Sequence, residues 1–119
     1  MLAHGAVTLQ SQILTGVQLE AIARNYRQAG LAPAEVAMMA FAEKVAGNAY
    51  TVTADDVEAL RRHGFSDTEV LDIAFAAAAR CFFSKVLDGV GAEPDQAFLT
   101  IDEGVRRALV VGRAFGAAS

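Results

Sequence analysis

The segment from Ser66 to Gly91 constrains the fold more than any other part of the sequence. Ser66 and Glu69 have the spacing of a capping box, in which each side chain accepts a hydrogen bond from the other residue's backbone N–H. A helix that is apolar on most sides is buried on most sides, so we expect a buried helix over 67–89. Packing against another subunit is one way for so short a chain to bury it. The apolar residues on which this expectation depends are Val70, Leu71, Ile73, Ala74, Phe75, Ala77, Ala78, Cys81, Phe82, Val86 and Leu87.

The rest of the chain also predicts helices, which are separated by glycines and capping residues. Thr15-Gly16 ends a first apolar segment, and Pro33 suits the first turn of a helix because its missing N–H costs nothing there. We predict further helices over 17–29, from Pro33 to Gly47-Asn48, from Thr53–Asp56 to His63-Gly64, and over about 102–113 after Asp102.

Strand signals are nearly absent, because the β-prone stretch Tyr50–Val52 is too short to matter. The sequence shows no internal repeat and no domain linker. We therefore predict an all-α fold: an oligomeric helical bundle of about five or six helices, in a single domain over 1–119.

The charge pattern excludes two classes of partner. The chain has 14 acidic and 10 basic residues, and no run of basic residues exceeds two. Nucleic-acid binding needs clustered basic residues, and an acidic chain does not suit an anionic membrane surface. No stretch of about 20 apolar residues predicts a membrane span. Residues 1–14 lack a basic n-region and a long apolar segment, so we expect no signal peptide. We expect a cytoplasmic protein that binds neither nucleic acid nor membrane.

Three side chains are candidates for chemistry: His4, His63 and Cys81. We interpret Cys81 as a buried structural thiol, because a reactive thiol favours a helix N-terminus or a nearby cation. His63 precedes the glycine that stops its helix, where a cation favours the helix C-terminus. His4 is either a packed or terminal histidine, or an acid–base group whose partner is missing from the chain. The three have no metal-ligand spacing, so we expect no metal and no cofactor.

Four polar residues interrupt the apolar helix: Asp72, Arg80, Ser84 and Asp88. Arg80 and Ser84 stand four residues apart, as do Ser84 and Asp88, so the three share a face. Buried charges must be paired. These residues therefore form either a polar network, within or between subunits, or part of a site.

Two stretches resemble a known family. LAPAEVAMMAFAEKVA covers 31–46, and VTADDVEALRRHGFSDTEVLDIAFAAAARCFFSKVLDGVGAEPD covers 52–95. Together these stretches are similar to the second half of the peroxidase-related alkyl hydroperoxidase D-like proteins. These belong to the carboxymuconolactone decarboxylase superfamily. The matching features are the AFAEK helix, the VT-x-x-D-V-x-x-L-R start, the GFSDTEVLD segment and the D-G-V-G ending. The VGR at 111–113 fits the same pattern.

The resemblance implies an all-helical oligomeric subunit and an antioxidant oxidoreductase with a thiol peroxidase site. That site is a C-x-x-C at a helix N-terminus, with a histidine four residues after the second cysteine. A helix N-terminus lowers a thiol pKa, and a nearby histidine relays its proton. The second cysteine then resolves the sulfenic acid as a disulfide. The segment LAHGAV matches the family after the cysteine pair, which makes His4 the catalytic candidate.

The position four residues before His4 is the one just before Met1, so the cysteine pair is absent from this sequence. We expect either a truncation at an internal Met1 or a short relative that kept the helical shell. In both cases we expect no thiol peroxidase turnover of a peroxide substrate. Two alternatives stay open: a non-enzymatic helical homo-oligomer or small-molecule binding shell, and a decarboxylase-type lyase in which His4 acts as the acid–base group on a lactone.

Overall fold

The computed structural model describes residues 15–93 and 96–109. In these ranges the chain is helical and has no β-strand, which confirms the predicted all-α class. Short 3₁₀ turns occur at Tyr26–Gln28, Ala49–Thr51 and Gln96–Thr100. The described part has five α-helices: α1 (Gly16–Asn25), α2 (Pro33–Asn48), α3 (Ala54–Arg62), α4 (Asp67–Gly89) and α5 (Glu103–Leu109).

Capping residues set the start of α4, as the sequence predicts. The backbone N–H of Glu69 donates to Ser66 Oγ at 3.2 Å, and the backbone N–H of Ser66 donates to Glu69 Oε2 at 2.7 Å. Each bond satisfies a backbone donor that has no partner inside the helix. The predicted bounds of the long helix, 67–89, match those of α4.

A glycine with positive φ terminates each of α3 and α4. Gly64 has φ 91° and Gly91 has φ 72°, a region that residues with a Cβ rarely adopt. After α3, the N–H of Gly64 donates to the carbonyl of Arg61 at 2.9 Å, and the N–H of Phe65 donates to that of Leu60 at 3.2 Å. These two bonds form a Schellman motif, which satisfies the last carbonyls of the helix.

The start of α1 differs from the prediction. We expected Thr15 and Gly16 to end the preceding segment, but Thr15 caps α1 and Gly16 is its first residue. The N–H of Gln18 donates to Thr15 Oγ1 at 3.2 Å, and the N–H of Thr15 donates to Gln18 Oε1 at 3.0 Å. Thr-x-x-Gln is itself a capping-box spacing, so the signal was present in the sequence. The segment before Thr15, and the predicted end of the last helix near 113, lie outside the described residues.

The chain forms two compact units, and the first contains the described residues 15–29, 87–93 and 96–109. In this unit α1 packs against α5, and its buried residues are Leu19, Ile101 and Val105. A Cβ at Gly16 would overlap the carboxylate of Asp102. The glycine therefore lets an acidic group approach the N-terminus of α1, where the helix dipole favours negative charge.

The second unit, 30–86, contains α2, α3 and most of α4 around one apolar core. Phe41 of α2, Leu60 of α3 and Val70 of α4 are buried together, and Leu60 is only 1% exposed. Partly buried neighbours complete the core: Ala37, Val45, Val52, Val57, Phe65, Ile73 and Ala74. An ion pair between Lys44 Nζ and Asp56 Oδ2, at 2.6 Å, joins α2 to the first turn of α3.

Burial of α4 is much lower than we predicted. Val70 is the one buried residue of the helix, and five others are half-buried. At 100° per residue these six lie on one narrow stripe, and within the described ranges the chain packs against that stripe alone. We call it the core face of α4: Val70, Ile73, Ala74, Ala77, Cys81 and Ser84.

We predict that Asp56→Asn lowers the thermal unfolding midpoint at neutral pH. The hydrogen bond from Lys44, followed by the backbone hydrogen bond from Thr53, holds the pKa of Asp56 below its ordinary value of 3.8. A carboxyl whose pKa is lower in the folded state stabilises the fold above pH 3.8, and this contribution is lost as pH falls through the lowered pKa. The difference between variant and parent should therefore shrink in acid.

Asp55→Asn is the matched control, because Asp55 is an exposed acid in the same first turn of α3. It should change the midpoint less than Asp56→Asn does at neutral pH. Circular dichroism melts at several pH values measure both variants. Equal losses from the two substitutions, or a loss from Asp56→Asn that persists at the lowest pH, would contradict the assigned role of the Lys44–Asp56 pair.

Candidate functional site

The predicted catalytic residue, His4, lies outside the described residues, and so do Pro94 and the VGR at 111–113. The structure therefore does not test whether His4 is an acid–base group. His63 is described: it occupies the C-cap position of α3 and is exposed. This position is the one that the sequence predicts for it.

Cys81 is half-buried, so our prediction that it is buried was wrong. Its Sγ lies on the core face of α4, 4.0 Å from the carbonyl oxygen of Ala46. The sulfur is about four turns from the N-terminus of α4, whereas the field of a helix terminus falls off within one turn. The structure thus gives Cys81 a packing position beside α2, without the helix N-terminus that activates peroxidase thiols.

The four polar residues on α4 do not form a buried network in the chain. Asp72, Arg80 and Asp88 are exposed, and Ser84 is half-buried. Among the described residues, no ion pair joins Arg80 to either aspartate. Because these charges are hydrated, they do not need partners within the chain. A network between subunits stays a prediction.

An open groove of about 290 Å³ lies between α3 and α4. Its charged groups bind each other: Arg61 Nε donates to Asp67 Oδ1 at 2.8 Å, and this hydrogen bond raises the pKa of Arg61. Ligand pockets usually present a few polar groups that converge on the ligand. Here the charged pair leaves an apolar trough instead, lined by Val57, Val70, Leu71 and Ala74.

A second apolar stripe runs along α4, and it is exposed. Phe75 is 65% exposed and Phe82 is 64% exposed, although both are large apolar side chains. At 100° per residue the stripe is centred about 140° around the helix from the core face. We call it the α4 stripe and define it by six residues, all exposed: Leu71, Phe75, Ala78, Ala79, Phe82 and Val86.

The α4 stripe is large for a surface that faces water. A phenylalanine side chain has on the order of 200 Å² of surface, so the stripe exposes on the order of 500 Å² with its Leu, Val and Ala residues included. This area is that of the largest apolar patch on a typical monomeric protein, about 300–600 Å², and such a patch is often functional. The aromatic ring of Phe83 extends the patch, because it meets Phe82 edge-on with ring centres 5.5 Å apart.

Comparison with models of known protein families, with curated proteins and with solved structures finds no match to this chain. The described residues hold no group of three or more His, Cys, Asp or Glu side chains that suits a metal ion. No helix in the described ranges has the length and apolar character that a membrane crossing needs. The α4 stripe is therefore the surface feature from which a function is best argued.

Proposed function

We propose that this chain is a self-associating helical subunit, of the same kind as the peroxidase-related alkyl hydroperoxidase D-like proteins, that does not turn over peroxides itself. The α4 stripe carries this proposal. One apolar face of α4 packs into the core of the chain, and the other is left in water. A second copy that covers this face removes that apolar surface from water. We place the subunit in the cytoplasm, where a single free thiol stays reduced.

Burial of the stripe supplies a driving force of the right kind. Full burial of a Phe or Leu side chain is worth about 1.5–3 kcal/mol. Because Phe75 and Phe82 are mostly exposed in the chain, most of that free energy is still available when a second copy covers them. When two copies meet, their stripes remove on the order of 1,000 Å² from water, which reaches the lower size limit of specific interfaces. The stripe carries no charged residue that would have to be desolvated.

The resemblance to the peroxidase-related proteins rests on residues that build the scaffold. Lys44 of the AFAEK helix pairs with Asp56 of the VT-x-x-D-V start. In the GFSDTEVLD segment, Ser66 and Glu69 form a capping box and Asp67 binds Arg61. These contacts support an equivalent helical framework, whereas the peroxidase activity depends on a C-x-x-C that this sequence lacks. The lactone decarboxylase alternative depends on His4 alone.

We predict that the chain sediments as an oligomer at micromolar concentration, and that Phe75→Glu or Phe82→Glu weakens the association at least tenfold. A charge in the stripe must be desolvated when the stripe is covered, and a tenfold effect requires only about 1.4 kcal/mol. Both positions are exposed, so the helical circular dichroism of the variants should be unchanged. Sedimentation equilibrium measures the association.

Tyr50→Glu is the matched control, because Tyr50 is an aromatic side chain that is 88% exposed and lies outside α4. It should associate as the parent does. A parent chain that is monomeric at these concentrations would refute the proposal. So would a Phe75→Glu variant that associates as strongly as the parent.

We also predict no consumption of hydrogen peroxide or an alkyl hydroperoxide above background when a dithiol is the reductant. Cys81 is the only cysteine in the sequence, and it lies in the middle of α4. Cys81→Ser should give the same background rate. Turnover that is lost in Cys81→Ser would make this thiol peroxidatic, and turnover that survives would reveal a different chemistry. Either result contradicts the proposal.

A further inference from the structure

We propose that two copies dock through their α4 stripes in an antiparallel arrangement, about a twofold axis that passes between Ala78 and Ala79. This inference rests on the self-association proposed above and adds the geometry of the pair. The occupant of the stripe is thus a second copy of the same helix.

The stripe is symmetric about its own midpoint. Leu71 and Val86 lie at equal distances from the point midway between residues 78 and 79, and so do Phe75 and Phe82. In an antiparallel pair centred there, Phe75 meets Phe82 of the second copy, and Leu71 meets its Val86. Twofold interfaces require such self-complementarity, since each contact occurs twice with the partners exchanged.

Side-chain size along the stripe suits a close crossing at the centre. Ala78 and Ala79 are small, and small residues allow two helix axes to approach towards the lower end of the usual 8–10 Å. One Phe stands on each side of the crossing and one aliphatic residue at each end. Aromatic pairs at ring separations of about 4.5–7 Å add to the gain from burial.

Charge distribution favours the antiparallel orientation over the parallel one. Asp67, Glu69 and Asp72 lie in the first two turns of α4, whereas its second half carries Arg80, Lys85 and Asp88 and has a net charge of +1. Of the two cations, Lys85 is the one nearer to the stripe. A parallel pair places the acidic ends side by side, which repels. An antiparallel pair places each acidic end beside the net positive half of the second helix, and it also opposes the two helix dipoles.

Disulfide trapping tests the orientation. In a full-length Cys81→Ser background, Leu71→Cys and Val86→Cys are made as separate proteins, with tags of different size. Under mild oxidation the mixture should give a linked heterodimer at least tenfold more abundantly than either protein alone gives a linked homodimer. The reason is distance: in the antiparallel pair the two copies of position 71 are about 22 Å apart along the helix axis, whereas a disulfide needs Cα atoms within about 7 Å.

Arg80→Cys in the same background is the control, because Arg80 is exposed on the opposite side of α4 from the stripe. It should not link to either protein. Homodimers of Leu71→Cys as the main product would show a parallel pair and overturn the inference, while self-association stands. Association without any link would place the interface elsewhere and also overturn the inference. Monomeric proteins would refute the proposed function as well.

Discussion

The packing of Val70 against Phe41 and Leu60 is the contact on which the rest of the structure depends. It fixes the rotation of α4 about its own axis, because one helix face has to point at α2 and α3. Once that rotation is set, the position of every other residue on α4 follows from the helical period. The second apolar stripe then faces away from the only core that 30–86 forms. The exposure of this stripe is therefore a consequence of which face of α4 packs against α2 and α3.

The residues that make the sequence resemble a peroxidase-related family serve as helix caps, helix ends and inter-helix pairs. Gly64 terminates α3 with a Schellman motif, and Ser66 opens α4 two residues later. The pair Arg61–Asp67 bridges the same turn. A pattern of this kind preserves the angle between two helices whether or not a catalytic group is attached. Similarity in these positions consequently concerns how the helices are capped and joined, whereas an activity depends on thiols and acid–base groups.

Local signals predicted most of the helical framework. The bounds of α4 and the start of α2 at Pro33 were predicted correctly, because capping boxes, helix-ending glycines and N-terminal prolines act over a few residues. The role of Thr15 was missed, since the same Thr-Gly pair suits the end of one segment and the start of the next. Burial was overestimated for α4 and Cys81. The apolar composition of a helix predicts how much of its surface favours burial. Which face of α4 is actually covered depends on its contacts with α2 and α3, which other segments of the sequence form.

We propose that folding of this chain leaves one face of α4 exposed and that a second copy covers it. Thermal unfolding of the unmodified chain over a hundredfold range of protein concentration is the sharpest test of this self-association. Because binding to the folded state stabilises it by mass action, we expect an unfolding midpoint that rises steadily with concentration. A midpoint that is the same at every concentration would show that the folded chain does not associate, and would refute the proposal.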